Sequence, residues 1–259
     1  MMKTKITLFV TVLAAALFGV GCASTEPAFV SDGLVAYYPF NGNAEDETGI
    51  GIAGDVKGAV LTADRNGKSN RAFKFDGEDD SIEFVEHAQS NTLPLAVSFW
   101  FMAEGPIKNR SSLVDKYHDG SYHGWAIRTA EDNSPKIWPL YISSVNSQVI
   151  GRHHPNYPQK KQFETNPVSS NVWHHLVLTV DNTKGVVYLD GIRQDEMPWV
   201  GNPRSVTAAS SLVIGNAPAP SRRETNPFKG SIDDVRIYNR ALSAAEVKAL
   251  YDLEKPKTK

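Results

Sequence analysis

Carboxylates and amides gather at three places in this chain, each beside a short apolar run: the loop Asn41–Asp46, the turn Asp76-Gly77, and Asp233-Asp234. In the run Ser231–Tyr238, Asp233 shares parity with Val235 and Ile237, whereas Asp234 goes with Arg236 and Tyr238. If Val235 and Ile237 face a core, Asp233 enters at its margin, where a carboxylate without a partner is costly. It then needs backbone donors, an arginine or a cation. Calcium suits this chemistry because it accepts carboxylate and backbone carbonyl oxygens together. The Asn41–Asp46 loop and the Asp76-Gly77 turn supply such oxygens. Asp46 and Asp76 also read as ordinary turn residues making Asx bonds.

Aromatic side chains are the second signal. A pyranose has an apolar C–H face and a polar rim, so sugar sites use flat rings together with planar amides and carboxylates. Tyr117, His118, Tyr122 and His123 surround Asp119-Gly120, and Trp138 flanks Pro139. His153, His154 and Tyr157 sit in a polar, proline-containing stretch from Gly151 to Pro167, and Trp199 follows Pro198. Tyr117, Tyr122, Trp138, His153, His154, Tyr157 and Trp199 are the candidate glycan contacts. Trp100, Trp125 and Trp173 read instead as packing residues.

Other chemistries find little support. His174 and His175 are neighbours in a strand-like run and point to opposite faces, so they do not share one ion. No HExxH or Cys/His cluster is present. Glu83 and Glu86 lack the central acid of a paired-carboxylate glycosidase strand and read as solubilising edge-strand charges. A Gly-x-Ser-x-Gly nucleophile motif is also missing. The chain holds 27 Lys and Arg against 29 Asp and Glu with no basic run, which gives nucleic acid no footprint.

The chain opens with Lys3 and Lys5 before an apolar run from Ile6 to Val20, the pattern of a secretory signal. The run is short for a membrane span, which needs about 20 residues. Gly19-Val-Gly-Cys22 resembles the lipobox of bacterial lipoproteins, with Gly19 where that box usually has Leu. The resemblance implies a signal peptide over 1–21, lipidation of the single cysteine, Cys22, and a flexible tether over 22–31. Ala23 and Ser24 favour an outer or surface membrane. Removal of Lys3 and Lys5 leaves 25 basic residues and a net charge near −4.

Short strand candidates separated by turn residues must position these groups. They are Leu34–Phe40, Ala72–Phe75, Ser81–Phe84, Ala96–Met102, Ser112–Lys116, Trp125–Thr129, Lys136–Ile142, Val172–Val180, Val186–Asp190, Ser211–Ile214 and Ser231–Tyr238. Such spacing predicts an all-β sandwich or barrel. Val172–Val180 and Val186–Asp190 form the clearest hairpin, and the first carries apolar residues on both faces, as an interior strand does. Ser243-Ala-Ala-Glu246 is a capping box that opens one C-terminal helix, with Leu242, Val247, Leu250 and Tyr251 on its apolar stripe. The body runs over 32–253, followed by a tail over 254–259.

Three segments resemble the laminin-G-like family of concanavalin A-type jelly rolls: Asp32–Asp46, Phe73–Phe84 and Gly230–Ser243. The resemblance implies a two-sheet antiparallel sandwich in which both terminal segments meet. It also implies a structural calcium near them, with Asp233 as first ligand and Asn43, Asp46 and Asp76 beside it. The expected protein is a lipid-anchored, non-catalytic, carbohydrate-binding module of the bacterial envelope. The alternative is an adhesion or envelope-structural module that binds a surface protein. A polysaccharide-degrading enzyme is the third reading.

Overall fold

The computed structural model describes residues 27–85, 93–117, 124–143, 148–150, 163–198, 211–218 and 225–257. Two antiparallel sheets stack face to face. The first has the order β13 (Ile192–Pro198), β12 (Lys184–Leu189), β11 (His174–Val180), β6 (Leu95–Ala103), β16 (Lys229–Tyr238), β4 (Ala72–Asp76) and β3 (Val60–Thr62), with β1 (Leu34–Tyr38) also on β16. The second has the order β10 (Gln148–Ile150), β9 (Ile137–Ser143), β8 (Gly124–Thr129), β7 (Ser111–Asp115), β14 (Leu212–Ile214), β5 (Ser81–Phe84) and β2 (Asp55–Lys57). A two-residue strand, β15 (Asn226–Pro227), joins β7 in parallel.

Both ends of the folded body meet as expected: β1 lies antiparallel to β16, with Tyr38 opposite Val235. The predicted hairpin is present, with Val180 opposite Gly185, and β11 is interior between β12 and β6. Sequence reading missed β2, β3, β10, β13 and β15. Each is short or polar on both faces, so alternation gave no signal. β5 lies between β14 and β2 rather than at an edge.

Alternate side chains of both sheets fill the space between them, including Phe75, Phe99, Trp125, Ile127, Leu176 and Val235. Gly215 lets this happen at one tight point: φ is +81°, and a Cβ there would stand 2.1 Å from the Phe75 ring. The outer face of the first sheet is closed by α2 (Ala244–Glu254). Its Val247 and the preceding Leu242 pack with Ala96, Val177, Val186, Tyr188 and Tyr238. The capping box forms as the sequence predicts, Ser243 Oγ accepting from Glu246 N while Glu246 accepts from Ser243 N. One helical turn, α1 (Ala28–Ser31), buries Val30, so the last residues of the expected tether are docked. No helix among the described residues is long and apolar enough to cross a membrane.

Candidate functional site

The acid pair on β16 lies under the end of α2. A bulge between Asp233 and Arg236, with Asp234 at φ +49°, breaks the strand's alternation. Ile232 and Val235 therefore both enter the core, and Asp233 turns outward, opposite Trp100. The parity argument that put Asp233 with Val235 is corrected by this extra residue. Arg65 is the partner: its Nη1 is 2.6 Å from Asp233 and its Nη2 2.7 Å from Asp234. Arg65 Nε donates to the Glu254 carbonyl, and its guanidinium stacks on Trp100 at 4.7 Å.

The network continues through the helix end. Arg236 pairs with the Glu254 carboxylate and lies 3.9 Å from the Tyr37 ring centre. Trp100 Nε1 donates to Glu254, and Tyr37 Oη donates to Asp234 at 2.6 Å. Burial, then the adjacent Asp234 carboxylate, raises the Asp233 carboxyl above the usual range. Burial opposes charge on Asp234 too, but Arg236 and Arg65 outweigh it and hold that carboxyl down. The cluster is a salt-linked clasp between β16, the turn at Arg65 and α2. Glu254, assigned to a tail in the sequence reading, is one of its buried members.

The four expected calcium ligands do not share a point. Asp46 accepts from Tyr37 N, Gly51 N and Thr48 Oγ1, and Asn43 accepts from Glu45 N in an Asx turn. Asp76 likewise accepts from Glu78 N. Asp76 does belong to an acidic group, but with Asp79 and Asp80, their carboxylate oxygens lying within 4.8 Å of one another. Burial, together with the like charges of Asp76 and Asp79, raises the Asp80 carboxyl. This triad is a donor set that a hard, oxygen-seeking cation fits.

The second sheet turns a different face outward. Tyr117, Ala126, Trp138 and Leu140 form a cluster apart from the core. Trp138 is opposite Arg128 in the register, and Arg128 Nε donates to Asp115 Oδ2 at 2.7 Å. Ser112 Oγ and Tyr117 N donate to the same carboxylate, and the Arg128 guanidinium lies 5.4 Å from the Tyr117 ring. Arg128 Nη2 is buried with no acceptor among the described residues. Tyr117 and Trp138, expected on display, are only 4% and 3% exposed. Trp138 is a strand residue whose parity sets it against Leu140, and Tyr117 covers Arg128. Tyr122, His153, His154, Tyr157, Trp199 and Cys22 lie outside the described residues.

Register nevertheless fixes where several connections begin. Asp115 faces Val213 and Ala126, Gly124 faces Ile142, Ser143 faces Gln148, and Leu212 faces Phe84. The connections after Asp115, Ser143 and Phe84, and the segment entering Leu212, therefore all meet one end of the second sheet. Asp115 and Arg128 went unrecognised in the sequence. The available signal was Arg128 itself, a charge at an alternating position of a strand, which burial obliges to find a partner.

His174 and His175 do point apart: His174 Nδ1 bonds Asp190, and His175 Nε2 bonds Ser98 Oγ at 2.8 Å. Burial first, then Arg236 and Arg65, depress the His175 imidazole to about 3. Ser98 is fully buried, and the rings of Trp100 and Tyr251 lie against His175, so this serine offers no accessible nucleophile.

A two-sheet sandwich closed by one C-terminal helix defines the class, and the chain belongs to the concanavalin A-like lectin/glucanases superfamily, whose family model matches residues 76–248. It is similar to paraclostridial mosquitocidal protein 1 of Paraclostridium bifermentans, 22% identical over 229 residues, covering 82% of this chain and 16% of that protein. The chain thus spans a small part of that relative. Domain 4 of AbnA, a GH43 extracellular arabinanase from Geobacillus stearothermophilus, in complex with arabinotriose, superposes with a TM-score of 0.61 at 23% identity. That match covers 84% of this chain and 98% of the domain. The botulinum neurotoxin serotype D ligand binding domain in complex with N-acetylneuraminic acid gives 0.61 at 14% identity, over 88% of this chain and 53% of that one. At these identities the likeness is one of fold.

Proposed function

We propose that this chain is a non-catalytic glycan-binding module, exported and held on the bacterial envelope by lipid on Cys22. Ligand contact falls at the loop end of the second sheet, beside the buried outer-face cluster of Tyr117, Arg128 and Trp138. One observation carries this reading: α2 closes the outer face of the first sheet, while the outer face of the second holds the Asp115–Arg128 pair beside Trp138. A buried ion pair is often no better for stability than a well-packed apolar pair. A role in orienting a ligand accounts for its presence, with Arg128 Nη2 as a spare donor. In this reading Tyr122, in the connection after Asp115, and Trp199 supply the rings that stack on the sugar's C–H face.

Support comes also from the domain-scale likeness to the arabinotriose complex and from the N-acetylneuraminic acid complex on the same fold. Binding without cleavage is supported by Glu83, the nearest approach to a paired acid, whose carboxylate is engaged by Lys57 at 2.6 Å. Calcium at Asp76, Asp79 and Asp80 is a structural support in this reading. A glycan array tests the function: oligosaccharide retention that falls in Tyr122→Ala and Trp199→Ala agrees with it, and a blank array from folded protein contradicts it.

A further inference from the structure

The clasp at the seam opens onto a pocket of about 330 Å³ that the glycan reading does not use. Four cations line it, Arg65, Arg236, Lys255 and Lys257, against two carboxylates, Asp234 and Glu254. Arg65 and Arg236 are already paired, with Asp233, Asp234 and Glu254, so Lys255 and Lys257 are the cations left to meet a ligand at the rim. Arg236 keeps a buried Nε with no acceptor among the described residues. On the exposed side, Lys255 is shared with Asp252 at 2.8 Å, and Lys257 has no ion-pair partner among the described residues. A compact anion with several acceptor oxygens matches this donor set: a phosphate.

The position of the pocket selects the source of that phosphate. Pro27 also lines it, and Cys22 stands five residues earlier in the chain. Five extended residues span at most about 17 Å. A lipidated Cys22 thus tethers this end of the domain, with its pocket, close to the layer of lipid headgroups. We propose that the seam pocket takes the phosphate of an anionic lipid headgroup, so that the domain rests on its anchoring membrane with this end down. The proposal rests on the lipid-anchor reading of Cys22, and it gives the anchor the second, electrostatic signal that strengthens membrane attachment.

The test uses the mature chain, residues 22–259, carrying Cys22→Ser, which removes both the apolar signal run and the acyl contribution. It is mixed with vesicles of phosphatidylcholine alone and of phosphatidylcholine with phosphatidylglycerol, and with inorganic phosphate as competitor. Binding to the phosphatidylglycerol vesicles only, weakened about thirtyfold by Lys255→Ala with Lys257→Ala, is the expected result. Both lysines are exposed beyond the helix, so the double variant keeps the fold, which circular dichroism verifies. No binding to phosphatidylglycerol vesicles overturns the proposal, as does binding that the double variant leaves unchanged. Phosphate binding without vesicle binding overturns it too. Fatty-acid labelling of the wild-type chain reads the anchor separately: an unlabelled Cys22 with vesicle binding intact defeats the anchor reading alone.

Discussion

Arg65 occupies the place beside Asp233 that a cation was expected to fill, its Nη1 2.6 Å from the carboxylate with both side chains nearly buried. A covalently held guanidinium does the work of a metal there. Removal of one partner strands a buried charge, which costs about 3–5 kcal/mol. Arg65→Met is expected to destabilise the fold by that order in urea titration. Asp233→Asn combined with Arg65→Met is expected to lose less than the sum of the two single changes.

Calcium dependence should follow the triad and not the seam. Millimolar calcium is expected to raise the melting temperature over EDTA, since a ligand that binds only the folded state stabilises it in proportion to the logarithm of its concentration. Asp79→Asn should abolish the shift, and Asp46→Asn should leave it intact. A shift that survives Asp79→Asn places the ion elsewhere.

His175 sets a pH dependence whose sign is fixed. Its folded value, about 3, lies below the ordinary 6.5, so its contribution to stability is full above pH 6.5 and is lost as pH falls toward 3. Within that window the loss is about 1.4 kcal/mol per pH unit. Asp233 and Glu254, whose carboxyls are raised, slope the other way in this range. Comparison with His175→Leu isolates the histidine: the variant's stability should fall less steeply between pH 6 and 4. Equal slopes would show that the imidazole is already charged in the folded protein.

Much of the fold was legible because burial imposes alternation. Eleven strand segments, the hairpin and the capped helix were placed from apolar period and turn residues alone. Asp233 escaped because a bulge adds one residue and inverts parity downstream, and no residue type announces a bulge there. Arg65 escaped because Asp64-Arg-Asn-Gly67 has the composition of any exposed turn, while its partners lie about 170 residues away in sequence. Trp138 was expected on display beside Pro139, although the run Lys136–Ile142 that contains both reads as a strand. Pro139 sits in β9 opposite Ile127, where Ile137 enters the core and Trp138 and Leu140 join the outer cluster.

Arg128→Lys separates the ligand role from the structural one. A lysine retains a positive charge toward Asp115 but loses the second terminal donor. The variant should fold and bind glycan about tenfold more weakly, the effect of removing one charged hydrogen bond. Unchanged affinity by titration calorimetry would leave Arg128 as a packing residue.

The most direct measurement of the central claim is a glycan array probed with the lipid-free chain, wild type beside a Tyr122→Ala, Trp199→Ala double variant. The account predicts retention of a defined set of oligosaccharides by the wild type, uncleaved, and its loss in the variant with the circular-dichroism spectrum unchanged. Silence of the folded wild type across the array, or release of reducing ends from any bound sugar, would contradict it.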